Sequence, residues 1–244
     1  EIPLHTPDIL AAAHLVRAFV LGYELTGEAR WLERARYWAW TGVPFVYLRM
    51  PLGGNVGLYA TIPVFGATGW RDPVWLGRPV QWCGLVYAAA LWELADHAQE
   101  GPWARLARGI AYSGVQQTWP AEDGTRLGLL PDYFLFREQR REGPAINPAT
   151  VLLPAMRAYG APAAYSRRVL HQAGLRFHVP GTIRVVQEES NHVEVEVNPW
   201  PETPCWMLVN GCRQLPRVQL NGEAWEARPG EHYDAAGGRL VVPL

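Results

Sequence analysis

Lysine is missing from this sequence: all 22 basic residues are arginine. Against 23 acidic residues the net charge is −1, and no run of like charges interrupts the chain. That balance gives no electrostatic footprint for nucleic acid and none for an anionic membrane surface. No uninterrupted apolar run approaches the roughly 20 residues that span a bilayer. The nearest stretch, Ile9 to Leu25, is broken by His14, Arg17 and Glu24. Cysteine is scarce too. Cys83, Cys205 and Cys212 form no CxxC and no zinc spacing, and a two-residue turn at Asn210-Gly211 would set Cys212 opposite Val209 rather than Cys205. No metal and no cofactor is therefore expected. Also absent are GxSxG, a P-loop, GxGxxG, HExxH and the acidic clusters of terpene cyclases.

What is present is apolar surface and aromatic rings. Hydrophobic residues make up 49% of the chain and charged residues 18%, with 12 tryptophans and 10 tyrosines. A chain of 244 residues with that composition can bury a sizeable core in one or two domains. It begins at Glu1 without a signal-peptide pattern and reads as a processed form or a fragment. The compartment stays open, with an extracellular or periplasmic setting among the options.

Residues 1–173 carry a helical period. Thr6-Pro7-Asp8 reads as a cap, then proline at the first helical position, then an acid in the first turn, with Ile9, Ala13, Val16, Val20 and Tyr23 at helical spacing, closed by Gly27. Further helices are expected over Glu28–Thr41, Val80–Gln99, Pro102–Trp119, from Asn147 to Gly160, and over Pro162–Ala173. Residues 174–244 change to a period of two: "HVEVEV", "CWMLVNG", "RVQLNGEAW" and "GGRLVVPL" read as strands of an antiparallel sheet or sandwich. The fold class is α+β, in two domains.

The helical part holds an internal repeat. "YELTGEARWLERARYWAW" aligns with "WELADHAQEGPWARLARGIAY" with three residues inserted in the connection. Such helix pairs, each burying its face on the next, form toroids and solenoids. The long connections at 43–79 and 120–146 both follow the second helix of a pair, so antiparallel packing should bring them out on one rim. Loops of that length inside a compact domain are usually functional.

The first connection offers Asn55, Tyr59, Trp70, Arg71, Asp72, Trp75 and Arg78, with Gln81 and Trp82 opening the next helix. Indole faces stack on the C–H face of a pyranose, while planar polar groups satisfy its hydroxyls. Arginine holds a uronate carboxylate bidentately. The expected substrate-binding set is Asn55, Trp70, Arg71, Trp75, Arg78, Gln81 and Trp82. Hydrolysis of a glycosidic bond would need two carboxylates, Asp72 and Asp132. Elimination from a uronide would need a proton acceptor such as Tyr59, Tyr133 or His5 beside a group that neutralises the carboxylate. The shortage of rim acids tilts the expectation to a uronide lyase, with a glycoside hydrolase or a non-catalytic glycan-binding subunit as alternatives. The charges at 138–142 read as a solvated turn, and His14 as a satisfied core residue.

The helix-pair repeat, "GATGWRDPVWLGRPVQW", "LPDYF" and the switch to strands near 175 together resemble the (α/α)-toroid polysaccharide lyases of the heparinase and alginate-lyase type. Glycoside hydrolases of the same two-part build are similar. The resemblance is one of architecture and transfers no residue roles. It implies a carbohydrate substrate and more helices than are visible here, supplied by an upstream segment or a second chain.

Overall fold

The computed structural model describes residues 7–50, 54–64, 79–200, 202 and 204–244. The chain divides into two compact units, Glu1–Gly160 and Ala161–Leu244. Residues 161–173, expected at the end of the helical part, belong with the strand-rich unit.

In the first unit the helices follow from their caps and faces. α1 (Ile9–Thr26) starts where the Asp8 carboxylate accepts the Ala11 amide at 2.6 Å, and ends at left-handed Gly27, whose N–H donates to the Tyr23 carbonyl. By length and composition α1 is the one described helix able to cross a membrane. Here its stripe of Ile9, Ala12, Ala13, Val16 and Val20 lines the core, whereas His14 is exposed. The two-residue link Gly27-Glu28 turns the chain into α2 (Ala29–Gly42), which buries Leu32, Ala35 and Ala39. A short 3-10 turn, Val43–Phe45, follows. α3 (Gln81–Ala95) is apolar on every side and touches α1, α2, α4 and α5, which is the position such a helix requires. Within it Tyr87 is fully buried, and its hydroxyl donates to the Ala39 carbonyl. α4 (Trp103–Gln117) pairs with α3, and α5 (Ala149–Ala158) packs on both.

The 120–146 connection is not the irregular loop its sequence suggests. It contains an antiparallel hairpin of β1 (Leu130–Leu135) and β2 (Arg140–Ile146). Pro131, Gly143 and Pro144 resemble loop breakers, but a two-stranded edge ribbon tolerates them.

The second unit holds nine strands among the described residues: β3 (Ser166–Leu170), β4 (Leu175–Val179), β5 (Gly181–Glu188), β6 (Val193–Pro199), β7 (Trp206–Asn210), β8 (Val218–Leu220), β9 (Glu223–Trp225), β10 (Tyr233–Asp234) and β11 (Arg239–Pro243). Five of them form one antiparallel sheet in the order β10-β11-β7-β4-β3, with β5–β6 and β8–β9 as separate hairpins. The core holds Phe177, Val179, Met207, Val209, Leu240 and Val242 with Ile183 of β5, and Val195, Trp225 and their neighbours pack against it. Asn221-Gly222, with φ of 53° and 85°, makes the β8–β9 turn.

The helix expected over 162–173 is absent, because that segment extends as β3 and pairs along its whole length with β4. Asn210-Gly211 is not a hairpin turn either: the Gly211 and Cys212 amides both donate to the Gly238 carbonyl. All three cysteines are free.

Candidate functional site

The two long connections meet. After the 3-10 turn the chain doubles back on itself: the Tyr47 amide donates to the Ala60 carbonyl at 2.9 Å, that of Tyr59 to Tyr47 at 2.8 Å, and that of Ile62 to Phe45 at 3.0 Å. This returning strand docks on the start of α3 through the Val80 amide, which donates to the Thr61 carbonyl at 2.9 Å. The β1–β2 hairpin arrives at the same place, with the Phe134 amide donating to the Pro79 carbonyl at 3.0 Å.

Two glutamine side chains fasten the junction. Gln81 is 1% exposed. Its Oε1 accepts from the Thr61 amide at 3.0 Å and from Gln117 Nε2 at 2.9 Å, while its Nε2 donates to the carbonyls of Tyr59 and Ile110. Both donors and both acceptor positions of the amide are thus occupied inside the protein. Gln81, expected to bind substrate, instead joins the returning strand to α3 and α4. Gln139, at the hairpin turn with φ of 50°, does the same from the other side. Its Oε1 accepts from the Asn55 and Val56 amides, and its Nε2 donates to the Val56 and Phe136 carbonyls. Nothing in the sequence marks Gln139 for this role. Arg141 is also structural. It donates to the carbonyls of Gln116, Gln117 and Thr118, the unpaired end of α4, and burial lowers its pKa. It is a helix cap rather than part of a solvated turn.

Around these fasteners stand the side chains expected to act. Asp132 sits at a β-bulge, because register passes from Pro131↔Ala145 to Tyr133↔Glu142. Gly143 opposes it with φ of 80°, and a Cβ there would lie 2.8 Å from that of Asp132. The bulge aims Asp132 at the start of α3, where Trp82 Nε1 donates to its Oδ1 at 3.1 Å. Bulges commonly re-aim a side chain beside functional sites. Tyr133, half-buried, follows on the same strand. Tyr59 has a φ of 58°, an outlier for a bulky residue, and its ring lies against the backbone of Gly109 in α4. Asn55 is exposed beside the Gln139 clamp. Tyr47 meets Phe136 edge-on at 5.2 Å between ring centres, and burial raises its pKa, keeping the phenol neutral. Cys83, one residue beyond Trp82, is an inert thiol: burial pushes its pKa far up, and the charges of Asp132 and Asp8 add to the effect.

The junction therefore places Trp82 and Asp132 together at the start of α3, with Tyr133 next along β1 and the Tyr59 carbonyl bonded to Gln81, while the Tyr59 ring lies on Gly109 of α4 and Asn55 stands at the Gln139 turn. His5, Trp70, Arg71, Asp72, Trp75 and Arg78 lie outside the described residues. An open groove of about 540 Å³ lies between the 119–126 turn and the hairpin, lined by Trp119, Asp123, Arg126, Gln139, Arg140 and Arg141. On its wall the Arg126 guanidinium, stacked 4.5 Å over the Trp119 ring, holds the Asp123 carboxyl down at about 2. Among the described residues no cluster of histidine, cysteine and carboxylate side chains could hold a metal. No protein-family model, curated protein or solved structure matches the chain.

Proposed function

We propose that the chain is part of a carbohydrate-active protein of the (α/α)-toroid type, acting on a polysaccharide or oligosaccharide, with elimination from a uronide as its chemistry. The supporting observation is the junction of the two long connections. There Trp82 bonds a bulge-borne carboxylate, Tyr133 follows on the same strand, and Tyr59, in a left-handed backbone position, has its carbonyl on Gln81 of the same helix start. In elimination, Tyr59 or Tyr133 as its phenolate takes the proton α to the sugar carboxylate. The electrons form the ring double bond, and the glycosidic oxygen leaves with its bonding pair and takes up the proton that the phenol returns. Trp82 provides a stacking face, and Asn55 an amide for the carboxylate or a hydroxyl.

Hydrolysis is the weaker reading because paired carboxylates are scarce among the described residues: Glu142 is bound to Arg140 and Asp123 to Arg126. The α1–α2 and α3–α4 pairs, with α1 packed on α3, are consistent with part of a helical ring. The half-exposed Tyr37 and Trp40 of α2 would suit cover by further helices, from an upstream segment or a second chain.

The test is incubation with neutral and uronate-containing polysaccharides while ultraviolet absorbance and reducing ends are recorded together. Matched growth of both is expected, with loss in Tyr59→Phe or Tyr133→Phe. Reducing ends without absorbance, abolished by Asp132→Asn, would replace elimination by hydrolysis. Binding without either product would leave a glycan-binding subunit.

A further inference from the structure

The second unit carries a surface that the junction does not explain. Strand register fixes its membership, since directly opposed residues share a face and successive residues alternate. Phe177, Val209 and Leu240 lie opposite one another and are buried. The next row, Arg176, Asn210 and Arg239, must therefore point the other way. Along the strands the same outer face continues through His178, Leu208 and Val241 to Trp206 beside Pro243. None of these residues is buried. From Asn210 to Trp206 the face extends about 14 Å along β7.

Its chemistry is graded. Trp206 is 53% exposed yet braced from behind: His232 stacks on it at 6.0 Å and an interplanar angle of 25°, and Trp225 supports His232 at 5.0 Å. The Arg228 amide donates to His232 Nδ1 and holds that ring in place. Tyr165, 56% exposed, reaches over the face and bonds His178 Nδ1 through its hydroxyl. At the other end Arg239 is engaged by Asp234, while Arg176 forms no ion pair among the described residues. Burial, then the neighbouring Arg167 and Arg176, lowers the pKa of His178, so the positive charge here comes from guanidinium groups and persists across neutral pH.

We propose that this outer sheet face is a second binding surface, for an extended chain of uronate sugars. A flat face suits a polymer, whereas small ligands favour concave pockets. Braced aromatic rings suit the C–H faces of sugars, and the fork of Arg176 beside the Asn210 amide suits a carboxylate. The inference rests on the carbohydrate reading above, but it uses none of the residues of the junction.

The test is affinity electrophoresis of the full chain in gels containing polygalacturonate or a neutral galactan. Trp206→Ala, Arg176→Gln and the double variant are compared, with near-ultraviolet dichroism to confirm folding. Wild type should be retarded by polygalacturonate and not by galactan. Either substitution should weaken retention about tenfold, the worth of one lost charged hydrogen-bonding contact for Arg176→Gln and of one lost stacking face for Trp206→Ala. Elimination assayed on short oligouronides should not change in these variants. Unchanged retention in the double variant would overturn the surface, as would equal retardation by galactan, or capture of single-stranded DNA in place of polygalacturonate. Product from oligouronides in those cases would leave the junction standing. Neither retention nor product from any polysaccharide would remove both.

Discussion

Glycine in mid-helix is about 1 kcal/mol worse than alanine on propensity alone. At position 109 of α4 that preference reverses. A Cβ there would lie 2.5 Å from Tyr59 Cγ, and the ring cannot retreat without disturbing a backbone already at positive φ. Gly109→Ala should therefore destabilise the protein by about 1–3 kcal/mol in urea denaturation, the cost of overpacking. In a Tyr59→Ala background the same substitution should cost little, and a more stable single variant would show that the Tyr59 ring is not fixed there. Single residues also mark where sequence reading stops. That Tyr59 and Asp132 belong to the two long connections was legible from the sequence. That Gln81 is consumed by four internal hydrogen bonds was not, because an amide at the start of a helix looks the same whether it faces a ligand or a core.

Elements were legible in proportion to how much of their stability is local. α1 follows from its cap, α2 and α4 from amphipathic faces and α3 from a long apolar run, while β6 starts in, and β7, β8, β9 and β11 lie within, the stretches read as strands. The β1–β2 hairpin and β3 escaped. Their sequences are charged or short, and the pairing partner decides their conformation. The 119–128 turn is set locally, and it makes a pH prediction. Arg126 draws the Asp123 carboxyl below its ordinary value of 3.8 to about 2. A group whose pKa is depressed on folding contributes fully above its unfolded pKa, and the contribution disappears as pH falls from about 4 to about 2. Carboxyl NMR should find Asp123 titrating near 2, and Arg126→Gln should return it toward 3.8. A titration near 4 in the wild type would mean that the pair does not persist in solution.

At the scale of the whole molecule, each unit has its own interior thiol. Cys83 lies in the helical core and Cys212 in the strand core, both buried and both with pKa values raised by burial. Neither should react with a thiol reagent until its surroundings open. Gln81→Leu leaves the Thr61 amide and the Tyr59 carbonyl without that partner and takes one bond each from Gln117 Nε2, which keeps Ser113 Oγ, and from the Ile110 carbonyl inside α4, a cost on the order of 3 kcal/mol. Pulse labelling along a urea series should show the Cys83 midpoint falling more than that of Cys212. Equal shifts would mean that the glutamine network does not belong to the helical unit alone. The Gln139 clamp carries a consequence of another kind. It holds the rim by the peptide groups of Asn55 and Val56, not by their side chains, and of that tip it constrains Gly54, where a Cβ would lie 2.1 Å from the glutamine amide. Residues 55 and 56 can therefore change identity over evolutionary time while their anchorage stays put, which leaves this edge of the protein free to acquire new preferences without first losing its shape.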